Sequence, residues 1–512
     1  MESEKSESFA GVMLKASSII FVLIFIQRAF GYLFNSLLSK SISKIDYGSY
    51  TFAWSIAMFA SGIFLLGVSS ATARYVAYYR GKKDIELVNS VIKTGFWINL
   101  FLTFISLFGI FVVNRYFPSI LSLNPYLLLF VGAIFVIHCI GSFFSAVIGG
   151  YRKPEISNIF GTVFPVLSFA FAFIVVLLRY EFVYILFGIA LAFLISNILS
   201  IVFALKNYGL KGYFKYELIK DLLKFGISMV FIDTANNLLS WADVFIIKMY
   251  MDFSNLSVYW AATITANVLL MFSQPIISIF APIVAELFGK RDTERLAFMS
   301  SYLFERVLLL SIPILLVFLM FPKGLLSIIF TQDYMMGALP LQILSISTFL
   351  LGLSMLFRIL ITASGKPHQE ARIIFFAAIA NVILNLILVK PYGIEGASVA
   401  TLFSSLFILL LSFKYARKDV KITIYKDRFI KIIASLIIPI ILIYIVKILF
   451  ISLFLEFIAS ILALGLFYFL SLMFLKTFRE EDTMLLTMIL GRFNISKNIE
   501  KLILDVVKRG IS

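Results

Sequence analysis

The feature that most constrains this chain is a succession of apolar runs, each long enough to cross a bilayer, separated by short gaps that hold most of its basic residues. A helix needs about 20 apolar residues to cross ~30 Å of hydrocarbon. Such runs fall near 13–38, 50–73, 91–113, 124–148, 156–178, 182–205, 225–249, 258–286, 300–321, 337–364, 371–389, 393–414, 429–450 and 452–475. They are continuous rather than alternating with a period of two, so membrane β-strands are excluded. The expected fold class is all-α, a polytopic membrane protein of about fourteen transmembrane helices. Composition agrees, because 61% of residues are hydrophobic and only 14% charged, against about 25% charged in a soluble domain.

The basic residues are placed to orient these helices. With the first loop outside, the inner loops hold 24 Lys and Arg and the outer loops 8. Both termini are therefore expected in the cytoplasm, in a multi-pass protein of the cell membrane. The net charge of +16 is a topology signal, so membrane lipids rather than nucleic acid are the expected surroundings. Cys139 is the one cysteine, and His138 and His368 are the two histidines. That is too few for a disulfide framework or for a Cys- or His-based metal site. His138, inside the fourth run, reads as a satisfied core residue. The opening MESEKSES is polar and of mixed charge, so the first helix itself is expected to direct insertion. Beyond Leu475, apolar and charged residues alternate at helical spacing (Ile495, Ile499, Leu502, Val506). This fits an amphipathic cytoplasmic tail with Lys501, Lys508 and Arg509 toward anionic headgroups, and equally a plain solubilising tail.

The chain also repeats itself. At a shift of 209, Leu14-Lys15 falls on Leu223-Lys224, Tyr50 on Tyr259 and Ala53 on Ala262. One residue out of step, Gly81-Lys82-Lys83-Asp84 falls on Gly289-Lys290-Arg291-Asp292; at a shift of 213, Lys153-Pro154 falls on Lys366-Pro367. The expected organisation is an N-lobe of spans 1–6 (1–208), a C-lobe of spans 7–12 (209–418), spans 13–14 (419–475) and the tail (476–512). Six is even, so the copies share one orientation about an axis along the membrane normal. Two such lobes can enclose a central cavity that opens to either side by rocking.

A charge at bilayer depth costs at least ~2.5–3.5 kcal/mol and needs a partner or a wet cavity. The first span carries Gln27, Arg28, Gly31 and Asn35 on one face. The seventh carries Asp233, Asn236, Asn237, Ser240 and Asp243 as one stripe, and the repeat sets Gln27-Arg28 on Asn236-Asn237. Arg28 and Asp233 are therefore expected to line a shared cavity; a hydrogen-bonded seam between helices would give the same pattern. Asp243 lies near the outer end, where snorkelling accounts for it. Asn267 and Gln274 share a face of the eighth span, which Pro275 and Pro282 are expected to bend. Arg358 in the tenth span reads as a snorkelling side chain or as a second cavity cation. No GxxxxGK[ST], HExxH or GxSxG occurs, so no enzyme is expected.

With these spans and this duplication, QRAFGYLFNSLLSKSISKIDYGSY in the first lobe and KPYGIEGASVATLFSSLF in the second resemble the oligosaccharide-lipid flippases of polysaccharide biosynthesis. That group belongs to the multidrug/oligosaccharidyl-lipid/polysaccharide exporter superfamily, and the resemblance covers roughly residues 9–475. It implies transfer of a polyprenyl-phosphate- or pyrophosphate-linked oligosaccharide from inner to outer leaflet by alternating access. Arg28 and Arg358 would bind phosphate; Gln27, Asn35, Asn237, Asn267 and Gln274 would meet glycan hydroxyls. Glycosyltransferases of the same pathway are the implied partners. A finer resemblance, to peptidoglycan lipid-precursor flippases, implies an ion-coupling site of an acid on span 7, two polar residues on span 11 and a threonine on span 12. The matching residues are Asp233, Asn381, Asn385 and Thr401, with Asp243 as a further acid. Asn385 stands where an acid is expected, which leaves Asp233 to hold Na⁺ or carry H⁺. Beyond such an ion, no metal or cofactor is implied. Two other readings remain. A drug/cation antiporter of the same superfamily is opposed by Arg28 and the two extra helices. A polytopic glycan polymerase or ligase needs a larger outer loop than the roughly dozen residues available.

Overall fold

In hydrocarbon the backbone has no water to bond, so an apolar run must satisfy its N–H and C=O groups within a helix. The computed structural model describes residues 2–116, 123–420, 422, 426–449, 453–479, 482–483, 505 and 510–511. The first half holds α1 (Glu2–Ser41), α2 (Lys44–Phe64), α3 (Val68–Gly81), α4 (Ile85–Tyr116), α5 (Pro125–Gly150), α6 (Pro154–Leu177) and α7 (Phe182–Asn207). The second holds α8 (Tyr216–Tyr250), α9 (Phe253–Ala266), α10 (Leu270–Lys290), α11 (Thr293–Met320), α12 (Pro322–Ile329), α13 (Ala338–Ala363) and α14 (Pro367–Asp419). Then come α15 (Lys426–Ala434), α16 (Ile437–Leu449) and α17 (Leu453–Phe474). Large apolar side chains face outward, as on α4, where Phe101, Phe104 and Phe108 are 64%, 63% and 71% exposed. Water would not tolerate that surface; lipid does.

Twelve helices among the described residues are long and apolar enough to cross a membrane, and α2 with α3, bent by 51° at a short break, makes a thirteenth. α14 is 53 residues long, roughly 80 Å at 1.5 Å per residue, which exceeds two bilayer cores. Gly393, at φ 57° and ψ −137°, breaks it into two apolar arms. The expected count of fourteen depends on treating those arms as separate crossings. The eighth run is interrupted ahead of its prolines. It breaks in a 3₁₀ turn at Asn267–Leu269, and α10 continues through Pro275 and Pro282.

The sequence repeat is also a repeat of backbone shape. Lys83 and Arg291 both sit in the left-handed region, at φ 60° and 56°. Their amides donate to the carbonyls of Arg80 and Phe288 at 3.0 and 3.1 Å. Asp84 and Asp292 then accept from the amides of Leu87 and Arg295 at 3.0 and 3.1 Å, capping α4 and α11 alike. Arg152 and Gly365, at φ 58° and 80°, stand in the other repeated turn, ahead of the Lys-Pro that opens α6 and α14.

Each half offers its first helix to the broken second pair of the other. α8 packs on α2 and α3, while α1 packs on α10 and touches α9. At one of these contacts the backbones meet. A Cβ on Gly67 would lie 2.4 Å from the Gly226 carbonyl oxygen, and one on Gly226 2.4 Å from that of Leu66, so neither position admits a larger residue. α16 and α17 pack together, and the additions join the second half through α11 and α12. There Glu305 receives Arg479 on both oxygens at 2.7 Å, and Arg306 pairs with Asp482 at 3.0 Å. The expected amphipathic tail positions Ile495, Ile499, Lys501, Leu502, Val506, Lys508 and Arg509 lie outside the described residues.

Candidate functional site

The two halves close around the polar face of α1 and leave a cavity of about 360 Å³. Gln27, Arg28, Gly31, Tyr32 and Asn35 line it from α1, Gly161, Phe164 and Pro165 from α6, and Trp260, Ile264, Asn267, Val268 and Met271 from the α9–α10 region. Arg28 reaches across the halves and donates to Gln274 Oε1 at 3.0 Å. Gln27 donates to Thr162 Oγ1 at 2.9 Å and to the Asn158 carbonyl at 3.1 Å. Asn35 donates to the Gly31 carbonyl at 2.7 Å and accepts from Tyr47 at 2.9 Å. Among the described residues no carboxylate lines this cavity or pairs with Arg28. An amide oxygen satisfies one of the guanidinium's five N–H donors and brings no countercharge. Such a group has the chemistry to receive an anion.

The expected ion-coupling residues also converge, with one exchange. Asn381 and Asn385, a turn apart on the first arm of α14, and Thr401, on its second, meet Asp243 and not Asp233. Asp243 Oδ1 accepts from Asn385 Nδ2 at 2.7 Å; Oδ2 accepts from Thr401 at 2.7 Å and from Tyr259 at 2.5 Å. Asn385 Nδ2 also donates to Asn381 Oδ1 at 3.2 Å. Asp243 is 6% exposed and both asparagines are wholly buried, so Asp243 does not snorkel. Asp233 lies ten residues back on α8, roughly 15 Å away along the helix, which removes it from the ligand set. Two buried polar atoms stay unmatched, Asn385 Oδ1 and Asn381 Nδ2. Turning the Asn385 amide over would aim its oxygen toward the carboxylate, an arrangement that needs a cation between them. One carboxylate, amide oxygens and a hydroxyl suit a hard cation. No cluster of three or more His, Cys, Asp or Glu able to hold a metal occurs among the described residues.

A second cavity, of about 190 Å³, lies where the α2–α3 break meets α5 and α8. Asp233 and Asn237 line this one and not the cavity around Arg28. Asn237 Nδ2 turns back to the Asp233 carbonyl at 2.8 Å. His138 also faces it, with its ring stacked on Phe193 at 6.0 Å between centroids. It is therefore not simply a satisfied core residue; Ser142, one turn on and lining the same cavity, was the available signal. Arg358 joins neither cavity. Its guanidinium binds Glu370 through Nε at 2.9 Å and through a terminal nitrogen at 2.8 Å. Its charge is matched, and the substrate-binding assignment is withdrawn.

A duplicated helical bundle whose halves enclose a cationic cavity and a buried carboxylate defines a polytopic membrane protein built like an alternating-access transporter. The model of the polysaccharide biosynthesis protein family matches residues 13–288 and that of the MatE family residues 229–387. The first match covers more than half of the sequence, and the chain belongs to the polysaccharide biosynthesis protein family. An uncharacterized membrane protein of Methanocaldococcus jannaschii, MJ1068, is 22% identical over 426 residues, covering 77% of this chain and 82% of its own. The probable low-salt glycan biosynthesis flippase Agl15 of Haloferax volcanii is 28% identical over 165 residues, 32% of this chain and 35% of that one. The fold is that of the lipid II flippase MurJ in an inward closed conformation, with a TM-score of 0.70 at 16% identity over 88% of this chain and 97% of that one. An inward-facing multidrug resistance MATE family transporter of the MOP superfamily aligns with a TM-score of 0.63 at 13% identity, over 79% of this chain and 98% of its own.

Proposed function

We propose that this protein moves an oligosaccharide linked to polyprenyl phosphate or pyrophosphate from the inner to the outer leaflet by alternating access. The observation that carries the reading is Arg28, a cation in an inter-half cavity with an amide for company and, among the described residues, no carboxylate. A phosphate offers that fork a bidentate partner that Gln274 cannot match. Phosphate binding then exchanges an α1–α10 bond for a substrate bond and loosens the halves on that side. Gln27, Asn35 and Asn267 supply amides to glycan hydroxyls, while the lipid tail stays in hydrocarbon. The names of Agl15 and MurJ as flippases support the same reading. The bias of basic residues toward alternate loops supports cytoplasmic termini in a cell-membrane protein, with substrate loading where glycosyltransferases of the pathway would build it.

Asp243, Asn381, Asn385 and Thr401 would hold a monovalent cation, Na⁺ in the first instance, supplying the countercharge that Asp243 otherwise lacks. The MatE match and the MATE structures support a second reading, a drug/cation antiporter. The absence of a carboxylate among the residues lining the Arg28 cavity speaks against a cationic cargo. The test is flipping in liposomes, with a fluorescent polyprenyl-pyrophosphate oligosaccharide and a quencher that cannot cross the bilayer. Arg28→Ala should be slowed at least ~10-fold, since a hydrogen bond to a charged group contributes about 1.5–3 kcal/mol. Arg28→Lys should fall between, keeping charge without the fork. Wild-type rates for both variants would overturn the phosphate role.

A further inference from the structure

We infer that Trp260, backed by Trp241, is a stacking platform for a pyranose ring of the cargo, so that the Arg28 cavity reads the sugar as well as the phosphate. The inference rests on the proposed glycan-lipid cargo and names the residue of that site that selects the sugar. Trp260 comes from α9 in the second half and lines the same space of about 360 Å³ as Arg28. Its indole lies on that of Trp241 of α8, with centroids 5.7 Å apart and planes 21° from parallel. From the first half, Phe164 of α6 lines the cavity with its ring stacked on Trp54 of α2, at 5.5 Å and 6°. Neither Trp241 nor Trp54 is part of the cavity wall. Each half thus presents one ring to the cavity and fixes it with a second ring behind.

Packing accounts for the backing rings but not for the indole nitrogen of Trp260. An indole N–H away from water ordinarily finds an acceptor. That of Trp260 makes no hydrogen bond with any other described residue. A ring held from one side, open to a cavity on the other and carrying an unmatched donor has the chemistry of a sugar site. A pyranose gathers its C–H groups on its faces and its hydroxyls around its edge. The C–H face is attracted to the negative face of an aromatic ring, and the edge to amides and N–H donors. Gln27, Asn35 and Asn267 share the wall with Trp260 and Phe164, so face and edge both have partners. An isoprenoid tail would meet the rings but strand the amides and the indole N–H. Arg28 is the one charged side chain on this wall among the described residues, and the phosphate takes it. The ring that fits is therefore an uncharged pyranose with its hydrogens gathered on one face, such as a β-linked glucose.

The test compares two lipids in liposomes holding the full chain: polyprenyl pyrophosphate bearing a β-linked glucose disaccharide, and bare polyprenyl pyrophosphate. Each carries its fluorophore on the isoprenoid unit next to the phosphate, and the quantity read is the ratio of their flipping rates. The wild type should favour the glycosylated lipid at least ~10-fold, the order of one aromatic stack with its hydrogen bond. Trp260→Ala should abolish most of that preference, whereas Trp260→Phe should keep the greater part, losing only the indole donor. Arg28→Ala should slow both lipids and leave their ratio in place. A second readout is spectroscopic. In nanodiscs, the near-ultraviolet circular dichroism of the stacked Trp241–Trp260 pair should change on adding the glycosylated lipid and not the bare one. The change should be absent in Trp260→Phe. A ratio that ignores Trp260→Ala, as a grip on the isoprenoid tail would leave it, overturns the platform, and so does a dichroic signal blind to the sugar. A wild type that flips neither lipid overturns the flippase reading and the platform with it. One that flips both without preference overturns the platform alone.

Discussion

At equivalent positions the two halves carry different chemistry. In the second, Asp243 accepts a hydrogen bond from Tyr259. In the first, the shift of 209 puts Phe34 and Tyr50 in those places, two rings meeting edge-on at 6.2 Å. Asn381, Asn385 and Thr401 fall, at a shift of 213, on Ser168, Ala172 and Gly188. The first half thus fills with a ring the space in which the second keeps a carboxylate and its donors. The reverse holds one cavity away, where Arg28 of the first half corresponds to Asn237 of the second. The separation has a physical consequence. A guanidinium and a carboxylate sharing one cavity would pair and hold no ligand, whereas on different bodies each remains available to an ion of opposite sign.

Grafting the solution of one half into the other tests this most severely. Asp243→Phe alone removes the acceptor for Tyr259, Asn385 and Thr401, and each buried group left unpaired costs about 1–3 kcal/mol. A loss of about 5 kcal/mol is expected in thermal unfolding followed by circular dichroism. Adding Asn381→Ser, Asn385→Ala and Thr401→Gly makes room for the ring and should recover at least half of that loss. A quadruple variant no more stable than the single one would break the equivalence. The milder Asp243→Asn should abolish any rise in Tm that NaCl gives over choline chloride.

The next effect is on flux. Arg28→Asn copies the second half and should slow flipping ~10–100-fold. Adding Asn237→Arg should not restore it, because that position opens toward Asp233, which would neutralise the new charge. Rescue by the double variant, read in the same liposome assay, would mean the two cavities are interchangeable. Gly62→Ala sharpens the comparison at smaller cost. Its Cβ would strike the Asn237 side chain, a loss of about 1–3 kcal/mol that Asn237→Ala should largely reverse.

The helices were legible because each apolar run has a single solution in lipid, and the repeat was legible because its turns demand particular backbones at Lys83 and Arg291. The depth at which helices meet was not. Asp233 and Asp243 lie on one stripe of α8; the depth at which the first arm of α14 crosses it sets Asn385 on Asp243, and Thr401 returns to the same acid after the break at Gly393. Arg358 was misread for a similar reason: Glu370 lies beyond the turn, invisible to a reading confined to one span. His138 gave a weak signal because an apolar run around a lone histidine looks the same whether a ring or a cavity lies opposite.

The smallest effect concerns the turns themselves. A non-glycine residue in the left-handed region costs about 1–2 kcal/mol, and glycine returns about 0.5–1 of that as unfolded-state entropy. Lys83→Gly and Arg291→Gly should therefore each stabilise by about 0.5 kcal/mol, and by the same amount, because the two turns share their φ values and hydrogen bonds. The other repeated turn already holds half of the experiment, with Arg152 at φ 58° facing Gly365 at φ 80°. Arg152→Gly should gain about what Gly365→Arg loses. Matched pairs of Tm shifts would show that duplication preserved the hinges while the cavities diverged. An imbalance in either pair would place different strain on the two halves at the turns that join their helices.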